Sequence, residues 1–300
     1  IRADQRQAAR APPCLFRELA LRRRLVLGPL GDDLGRLLGG EVAVEGSSYG
    51  LGGGVVVQLP VHGEHPHPGV VVRLAVHPGH HRAQLEILRA LADAGATIAI
   101  GLEMFRRDSQ PALDRWVAGG IPAGDFERIY LANWGYPWEA YRAIFELARD
   151  RRIPMIGLNV PPEVTRQVAR GGFQSLSEAQ RGALSEVTCS VDEEYMRFIR
   201  RAFGAHAHGH GNFTFFCEAQ MIWDAAMAVH ALDYLRAHPG TTVVILAGVG
   251  HAQKGAVPRQ IGLRAEPPLP VVALLPEIPG RLDRRTADLQ DADYLITGLK

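Results

Sequence analysis

Residues 213–246 constrain the fold most, because a long helical pattern there is followed directly by a short buried-strand pattern. Apolar side chains recur at helical spacing through residues 213–235, which predicts a helix with one broad buried face. Pro239 and Gly240 end that helix. The β-branched run at 241–246 is typical of a strand that is buried on both faces, as in a parallel sheet.

Further apolar runs alternate with helical patterns along the chain, and this alternation predicts an α/β fold: a largely parallel sheet with helices on both faces. The strand signal disappears between residues 163 and 211, which predicts a small inserted helical subdomain. The strands are expected at 97–102, 153–158 and 271–275, and the helices at 81–94, 109–117, 137–150, 162–169, 177–185 and 191–203. The expected organisation is a poorly defined segment at 1–66, an α/β domain at 67–160 and 213–275, the helical subdomain at 161–212, and an irregular segment at 276–300.

Composition excludes several functional classes. The 300 residues have 47% hydrophobic and 22% charged side chains, which is typical of a globular chain. A formal net charge of +1 gives no general attraction to nucleic acid or to an anionic membrane. No apolar run is long enough to span a membrane, so only peripheral attachment is expected. Cys14, Cys189 and Cys217 have no CxxC spacing, so neither a disulfide framework nor a zinc knuckle is predicted.

Polar side chains follow three of the predicted strands. Glu103 and Asn159 come directly after their strands, and His251 follows the strand at 241–246. Ligands bind at the carboxyl ends of parallel strands, so these side chains are expected at one cleft, together with Gln220 and Asp224 from the preceding helix. Glu103 could serve as a metal ligand or general base, and His251 could bind metal or transfer protons.

The helix predicted at 191–203 carries Tyr195 on its apolar stripe. Tyrosine is an established axial ligand of ferric haem, although a tyrosine on such a stripe also fits a plain core role. Arg197 and Arg200 lie elsewhere around the helix and could meet haem propionates. A glycine-rich loop follows, and its three histidines could capture metal or face a haem; they are His206, His208 and His210.

Five blocks in sequence resemble the ChaN family of cofacial haem-binding proteins, which is related in fold to the Tiki proteases and erythromycin esterases. The blocks cover about residues 78–260 and read HHRAQLEILRAL, IGLEMFRRDSQPALDRW, NWGYPWEAYRAIFELARDRRIPMIGLNVP, AQMIWDAAMA and LAGVGHAQKGAVP. Several motifs in the same order are far more specific than any one of them alone.

The resemblance implies a bacterial haem-binding protein of haem or iron uptake, rather than an enzyme, with Tyr195 as the nearest match to the family's iron ligand. It further implies paired haems between two subunits of a homodimer. Many relatives are lipoproteins, so the protein is expected in the periplasm or attached to a membrane if a leader has been removed, and in the cytoplasm otherwise.

One family motif departs from the expected pattern. A Gly-Glu-x-His segment should precede the His80–His81 pair, but gapless alignment places Arg73 and Ala75 at the glutamate and histidine. Gly63, Glu64 and His65 resemble the motif about ten residues too early, with Pro66 where histidine is expected. Either an insertion separates Glu64 from the histidine pair, or the motif is lost.

The related esterases and proteases imply an alternative, a metal-dependent hydrolase. Its candidate catalytic or divalent-metal residues are Glu103, His251, Glu64 and either His65 or His67. A bound divalent ion would lower the pKa of a water molecule and so activate it. The loss of the expected glutamate and histidine at Arg73 and Ala75 favours the haem binder, because a hydrolase depends on that motif. A scaffold with neither activity is a third hypothesis.

Overall fold

A parallel sheet organises the part of the chain that the structure describes. This computed structural model describes residues 57–60, 78–184, 192–203, 212–278, 282, 285 and 290–298. The chain divides into two units, Ile1–Tyr49 and Gly50–Lys300, and all of the described residues belong to the second. The predicted α/β fold class is confirmed.

The sheet has six strands in the order β3-β2-β4-β1-β5-β6, and every neighbouring pair is parallel. The strands are β1 (Val57–Pro60), β2 (Ile98–Arg106), β3 (Met155–Asn159), β4 (Thr242–Ala247), β5 (Val272–Pro276) and β6 (Tyr294–Ile296). Residues of β2, β3 and β4 are almost all buried, which explains why these strands are continuous apolar runs.

Helices connect the strands and cover the sheet. They are α1 (Pro78–Asp93), α2 (Gln110–Val117), α3 (Ala123–Trp134), α4 (Arg142–Asp150), α5 (Pro162–Gly171), α6 (Glu178–Ala183), α7 (Glu193–Phe203), α8 (Phe213–Ala237), α9 (Val249–Ala252) and α10 (Val257–Arg264). None of the helices among these residues is long and apolar enough to cross a membrane.

Helix α8 lies at the centre of the larger core. Its buried residues pack with those of β3, β4, α5 and α10 in one apolar cluster that includes Ile156, Ile222, Ala226 and Ile245. Asn212 caps the start of the helix, where its side-chain oxygen accepts a hydrogen bond from the N–H of Thr214 at 2.9 Å. The helix is buried on most sides, so polar residues along it need partners inside the protein.

The structure differs from the sequence-based expectations in several elements. Strand β2 continues to Arg106 instead of ending at residue 102, so Glu103 lies inside the strand and not after it. The register against β3 shifts between Leu102 and Arg106. Because of this irregularity, the strand continues beyond its apolar run into polar residues, which the apolar pattern alone does not predict.

Helices α3, α9 and α10 were not predicted; α9 is a single turn, which carries little periodic signal, whereas α3 is 12 residues long and was missed despite its length. Residues 294–296 of the segment expected to be irregular form β6, which pairs with β5 at the sheet edge.

Candidate functional site

Asp224 and His251 meet at the carboxyl end of the sheet, as the sequence predicted. Asp224 lies in the middle of α8, and His251 lies in α9, a single turn that begins directly after β4 and Gly248. The Nδ1 of His251 is 2.6 Å from Oδ1 of Asp224. Both side chains are buried. The carboxylate therefore fixes the orientation of the imidazole, with Nε2 on the side of the ring away from Asp224.

Glu103 completes the acidic surroundings of His251. Strand β2 pairs with β4 so that Leu102 is opposite Leu246, which places Glu103 beside the turn that follows β4. The backbone N–H of Gly248 donates a hydrogen bond to Oε2 of Glu103. Oε1 of Glu103 is 3.8 Å from Nε2 of His251. His251 thus lies between two buried carboxyl groups.

Tyr195 joins the same group from helix α7. Its hydroxyl donates a hydrogen bond of 2.6 Å to Oδ2 of Asp224, the oxygen that His251 does not use. The ring is fully buried, and Phe198, Ile199 and Met221 belong to the same apolar cluster. We call Tyr195, Asp224, His251 and Glu103 the ionisable cluster.

Burial and mutual charge set the protonation of the ionisable cluster. Burial alone would lower the pKa of His251, but the charges of Glu103 and Asp224 and the hydrogen bond to Asp224 outweigh it and raise that pKa to about 9. Burial raises the pKa of Glu103 and of Asp224, and His251 partly offsets the shift in each. An imidazolium between two carboxyl groups is therefore the favoured form near neutral pH.

This arrangement can hold and exchange protons in a space that excludes water. His251 at neutral pH is suited to act as an acid or a positive charge, because its pKa lies above 7. Coordination of a divalent cation by His251 would require release of this proton, because a ligating imidazole is neutral. Within the described ranges, no three histidine, cysteine, aspartate or glutamate side chains are arranged to hold a metal ion.

Two other predicted residues lie apart from these hydrogen bonds. Asn159 ends strand β3: its Nδ2 donates to the backbone oxygen of Glu103 at 2.9 Å, and its Oδ1 accepts from the N–H of Val160 at 2.8 Å. That is a strand-capping role. Gln220 is buried on α8, and its Oε1 has no hydrogen-bond donor in the described part of the chain.

The two predicted arginines lie on the exposed side of α7. Arg197 is 3.8 Å from Glu193 in the preceding turn, with both side chains largely exposed. Arg200 lies over the ring of Phe213, with its guanidinium carbon 4.6 Å from the ring centre. The remaining candidates lie outside the described residues; they are Glu64, His65, His67, His206, His208 and His210, together with Arg73 and Ala75.

Sequence reasoning did not select two buried residues near Glu103. The ring of His81, from α1, packs edge-on against the ring of Tyr141 at 4.5 Å. Burial raises the pKa of Tyr141, and the charge of Glu103 adds to the effect. Burial also lowers the pKa of His81, which keeps its imidazole neutral. The available signal was that each of the two residues lies in one of the sequence blocks that resemble the family.

The fold and the ionisable cluster together define a class: an α/β protein with buried acid–base groups at the carboxyl end of a parallel sheet. Residues 76–261, more than half of the chain, match a family described as "Haem-binding uptake, Tiki superfamily, ChaN". The chain belongs to this family. None of the curated proteins matches it in sequence.

Solved structures support the fold. A ChaN of Campylobacter jejuni with cofacially bound haem is 19% identical, with a TM-score of 0.57 over 82% of this chain and 87% of that one. The type III effector HopBA1 is 13% identical, with a TM-score of 0.45 over 92% and 95%. An erythromycin esterase mutant in its open conformation is 13% identical, with a TM-score of 0.42 over 82% and 72%. Only the first score exceeds 0.5, and at 19% identity it shows the fold alone.

Proposed function

We propose that this protein binds haem and takes part in bacterial haem or iron uptake or handling, with Tyr195 as the iron ligand and the haem at a homodimer interface. Membership of the haem-binding family across residues 76–261 is the observation that carries the proposal. The histidines at 206, 208 and 210 and the arginines at 197 and 200 are proposed to assist. A place in the periplasm or at a membrane surface suits this role.

The donor chemistry around Tyr195 fits ferric haem. Bound haem supplies an iron that accepts an ionised phenol oxygen as ligand. Tyr195 already donates its hydroxyl proton toward Asp224 at 2.6 Å, so a proton acceptor is in place for the ionised form. The hydroxyl is fully buried, however, so ligation requires Tyr195 to exchange its bond to Asp224 for one to iron.

A haemin titration followed by absorption spectroscopy tests this proposal. We expect saturable binding with a tyrosinate–ferric spectrum in the parent, and loss of that spectrum in Tyr195→Phe. Tyr234→Phe is the matched control, because Tyr234 lies on α8 and stacks on His238, away from the ionisable cluster. A Tyr195→Phe variant with the parent spectrum would overturn the ligand assignment. Sedimentation with and without haemin tests the dimer.

Hydrolysis is the second candidate function, and the buried cluster of Glu103, Asp224 and His251 is the observation that favours it. Among the described residues, no three histidine, cysteine, aspartate or glutamate side chains are arranged to hold a metal ion, so no metal-dependent step is assigned. Hydrolysis of an activated ester, measured with and without a chelator in the parent and in His251→Asn, tests this candidate. Equal background rates of ester hydrolysis in the parent and in His251→Asn would rule out hydrolysis as the function of this cluster.

A further inference from the structure

Strand β3 lies at one edge of the described sheet, and a side chain pairs with its outer side. Gln110 is the first residue of α2, and its Nε2 donates a hydrogen bond of 2.7 Å to the backbone oxygen of Met155. Its Oε1 accepts a hydrogen bond of 3.0 Å from the backbone N–H of Gly157. One amide group thus bonds to the oxygen of one residue and to the N–H two residues later, as a residue of a neighbouring parallel strand would.

The other hydrogen-bonding positions of Gln110 fix this orientation. Nε2 also donates to Oδ1 of Asp114, one turn further along α2, at 2.8 Å. Oε1 also accepts from Nη1 of Arg107 at 3.3 Å. A primary amide has two donor and two acceptor positions, so each position of Gln110 has a partner. A reversed amide would bring oxygen against oxygen, and the network therefore holds the side chain against β3.

Strand β3 has few of the features that usually protect a sheet edge. Residues 153–160 read IPMIGLNV and carry no charge. Uncharged apolar strands at an edge pair readily with other chains, and proteins commonly protect such edges with charged residues or very short strands. The opposite edge strand, β6, has only three residues, whereas β3 has five. Pro154 limits β3 at its start but leaves the groups of Met155 and Gly157 to be satisfied.

We propose that Gln110 closes the β3 edge: its side-chain amide takes the place of an added strand and so prevents a second copy of this chain from pairing through β3. A second copy is the expected partner of an open edge, because two β3 strands could pair antiparallel across a twofold axis. The proposal is independent of haem binding. It also requires that the homodimer proposed above use a different surface.

Amide hydrogen exchange at Gly157, measured in the ligand-free protein by NMR, tests the closing contact. Gln110→Met keeps the length of the side chain but forms neither backbone bond. We expect it to accelerate exchange at Gly157 about five- to tenfold, the effect of one lost hydrogen bond. Gln110→Lys cannot accept the N–H of Gly157 either, so it should accelerate exchange to a similar extent.

Sedimentation velocity over a range of protein concentrations, without haemin, tests the protective role. We expect Gln110→Met to self-associate at concentrations about tenfold lower than the parent, because its edge groups gain partners in a second copy. Gln110→Lys opens the same groups but places a charge at the edge, which disfavours strand pairing. It should therefore exchange rapidly at Gly157 and sediment like the parent.

The two variants keep the contact and its role separately testable. Gln174→Ala is the matched control, because Gln174 is exposed in the turn after α5 and should leave both measurements unchanged. Exchange at Gly157 that stays at the parent rate in both Gln110 variants overturns the closing contact. Rapid exchange without association of Gln110→Met overturns the protective role. Equal association of Gln110→Met and Gln110→Lys also overturns it, because lost stability and not an open edge would then drive association.

Discussion

Two buried clusters share strand β2, and they are held together by different forces. Phe105 belongs to an aromatic cluster in which Trp116 stacks on Phe126 at 4.4 Å and Trp138 stacks on Phe145 at 5.2 Å. Two positions earlier, Glu103 belongs to the ionisable cluster. The aromatic cluster gains stability from area and packing, which depend on shape. The ionisable cluster depends on specific partners, and each lost partner leaves a charge unsatisfied.

Along strand β2, the aromatic cluster therefore contributes mainly to stability, and the ionisable cluster provides the acid–base groups. Side chains that only need to fill space tolerate replacement by other apolar side chains of similar volume. Side chains that exchange protons tolerate little change of chemistry even when shape is kept. The clusters should therefore respond in opposite ways to truncating and to isosteric substitutions, and each substitution below tests that contrast.

Truncation in the aromatic cluster should have the largest effect. Trp116 is fully buried, and its Nε1–H donates a hydrogen bond of 2.7 Å to the backbone oxygen of Phe145. We expect Trp116→Ala to lower the free energy of unfolding by about 3–5 kcal/mol, because it leaves a large cavity and removes the indole hydrogen bond. Chemical denaturation monitored by circular dichroism measures this.

Trp116→Phe separates the ring from the hydrogen bond. It retains most of the stacking on Phe126 and should cost clearly less than the alanine variant. Equal losses in the two variants would mean that the hydrogen bond, and not aromatic packing, holds this cluster, and the contrast with the ionisable cluster would fail.

An isosteric change in the ionisable cluster should have the next largest effect on stability. Asp224→Asn keeps the shape but removes the charge shared by Tyr195 and His251, and we expect a loss of about 2 kcal/mol in unfolding free energy. Asp233→Asn is the matched control on the same helix, since its carboxylate pairs with Arg236 at 2.6 Å with both side chains largely exposed. The control should change stability by no more than about 0.5 kcal/mol. Similar losses in both would show that the partners of Asp224 contribute little.

The sequence predicted strands β2 to β5 and most of the described helices from apolar periodicity, but it did not predict β6 or helices α3, α9 and α10. The sequence also predicted that Asp224 and His251 lie close together, because a helix and the strand that follows it pack against each other in an α/β fold. It did not predict that Tyr195 would donate to Asp224, because that contact joins two helices whose packing no local pattern encodes. The bulged end of β2, which places Glu103 beside Gly248, was hidden for the same reason.

The pH dependence of stability should identify His251 within the ionisable cluster. Its pKa is raised from 6.5 to about 9, so the folded state holds its proton more tightly than the unfolded chain. That stabilisation is complete below pH 6.5 and is lost as the pH rises through 9. The raised pKa values of Glu103 and Asp224 act in the same direction at more acidic pH.

Unfolding measured at intervals between pH 6 and 9.5 checks this prediction in the parent and in His251→Asn. We expect the parent to lose stability across the window and the variant to show a flatter profile. A parent whose stability is constant from pH 6.5 to 9 would contradict an imidazolium between the two carboxyl groups.

Removal of one hydroxyl should have the smallest effect. Tyr195→Phe preserves the buried ring among Phe198 and Ile199 but deletes the hydrogen bond to Oδ2 of Asp224. Asp224 keeps His251 as a partner, so we expect a loss of about 1 kcal/mol, measured by the same denaturation. The double variant Tyr195→Phe/Asp224→Asn completes a thermodynamic cycle: if the two losses add, the hydroxyl and the carboxylate act independently. If the double variant loses less than the sum, Tyr195 belongs energetically to the ionisable cluster, and the iron ligation that we propose for Tyr195 would carry that coupling energy as a cost of binding.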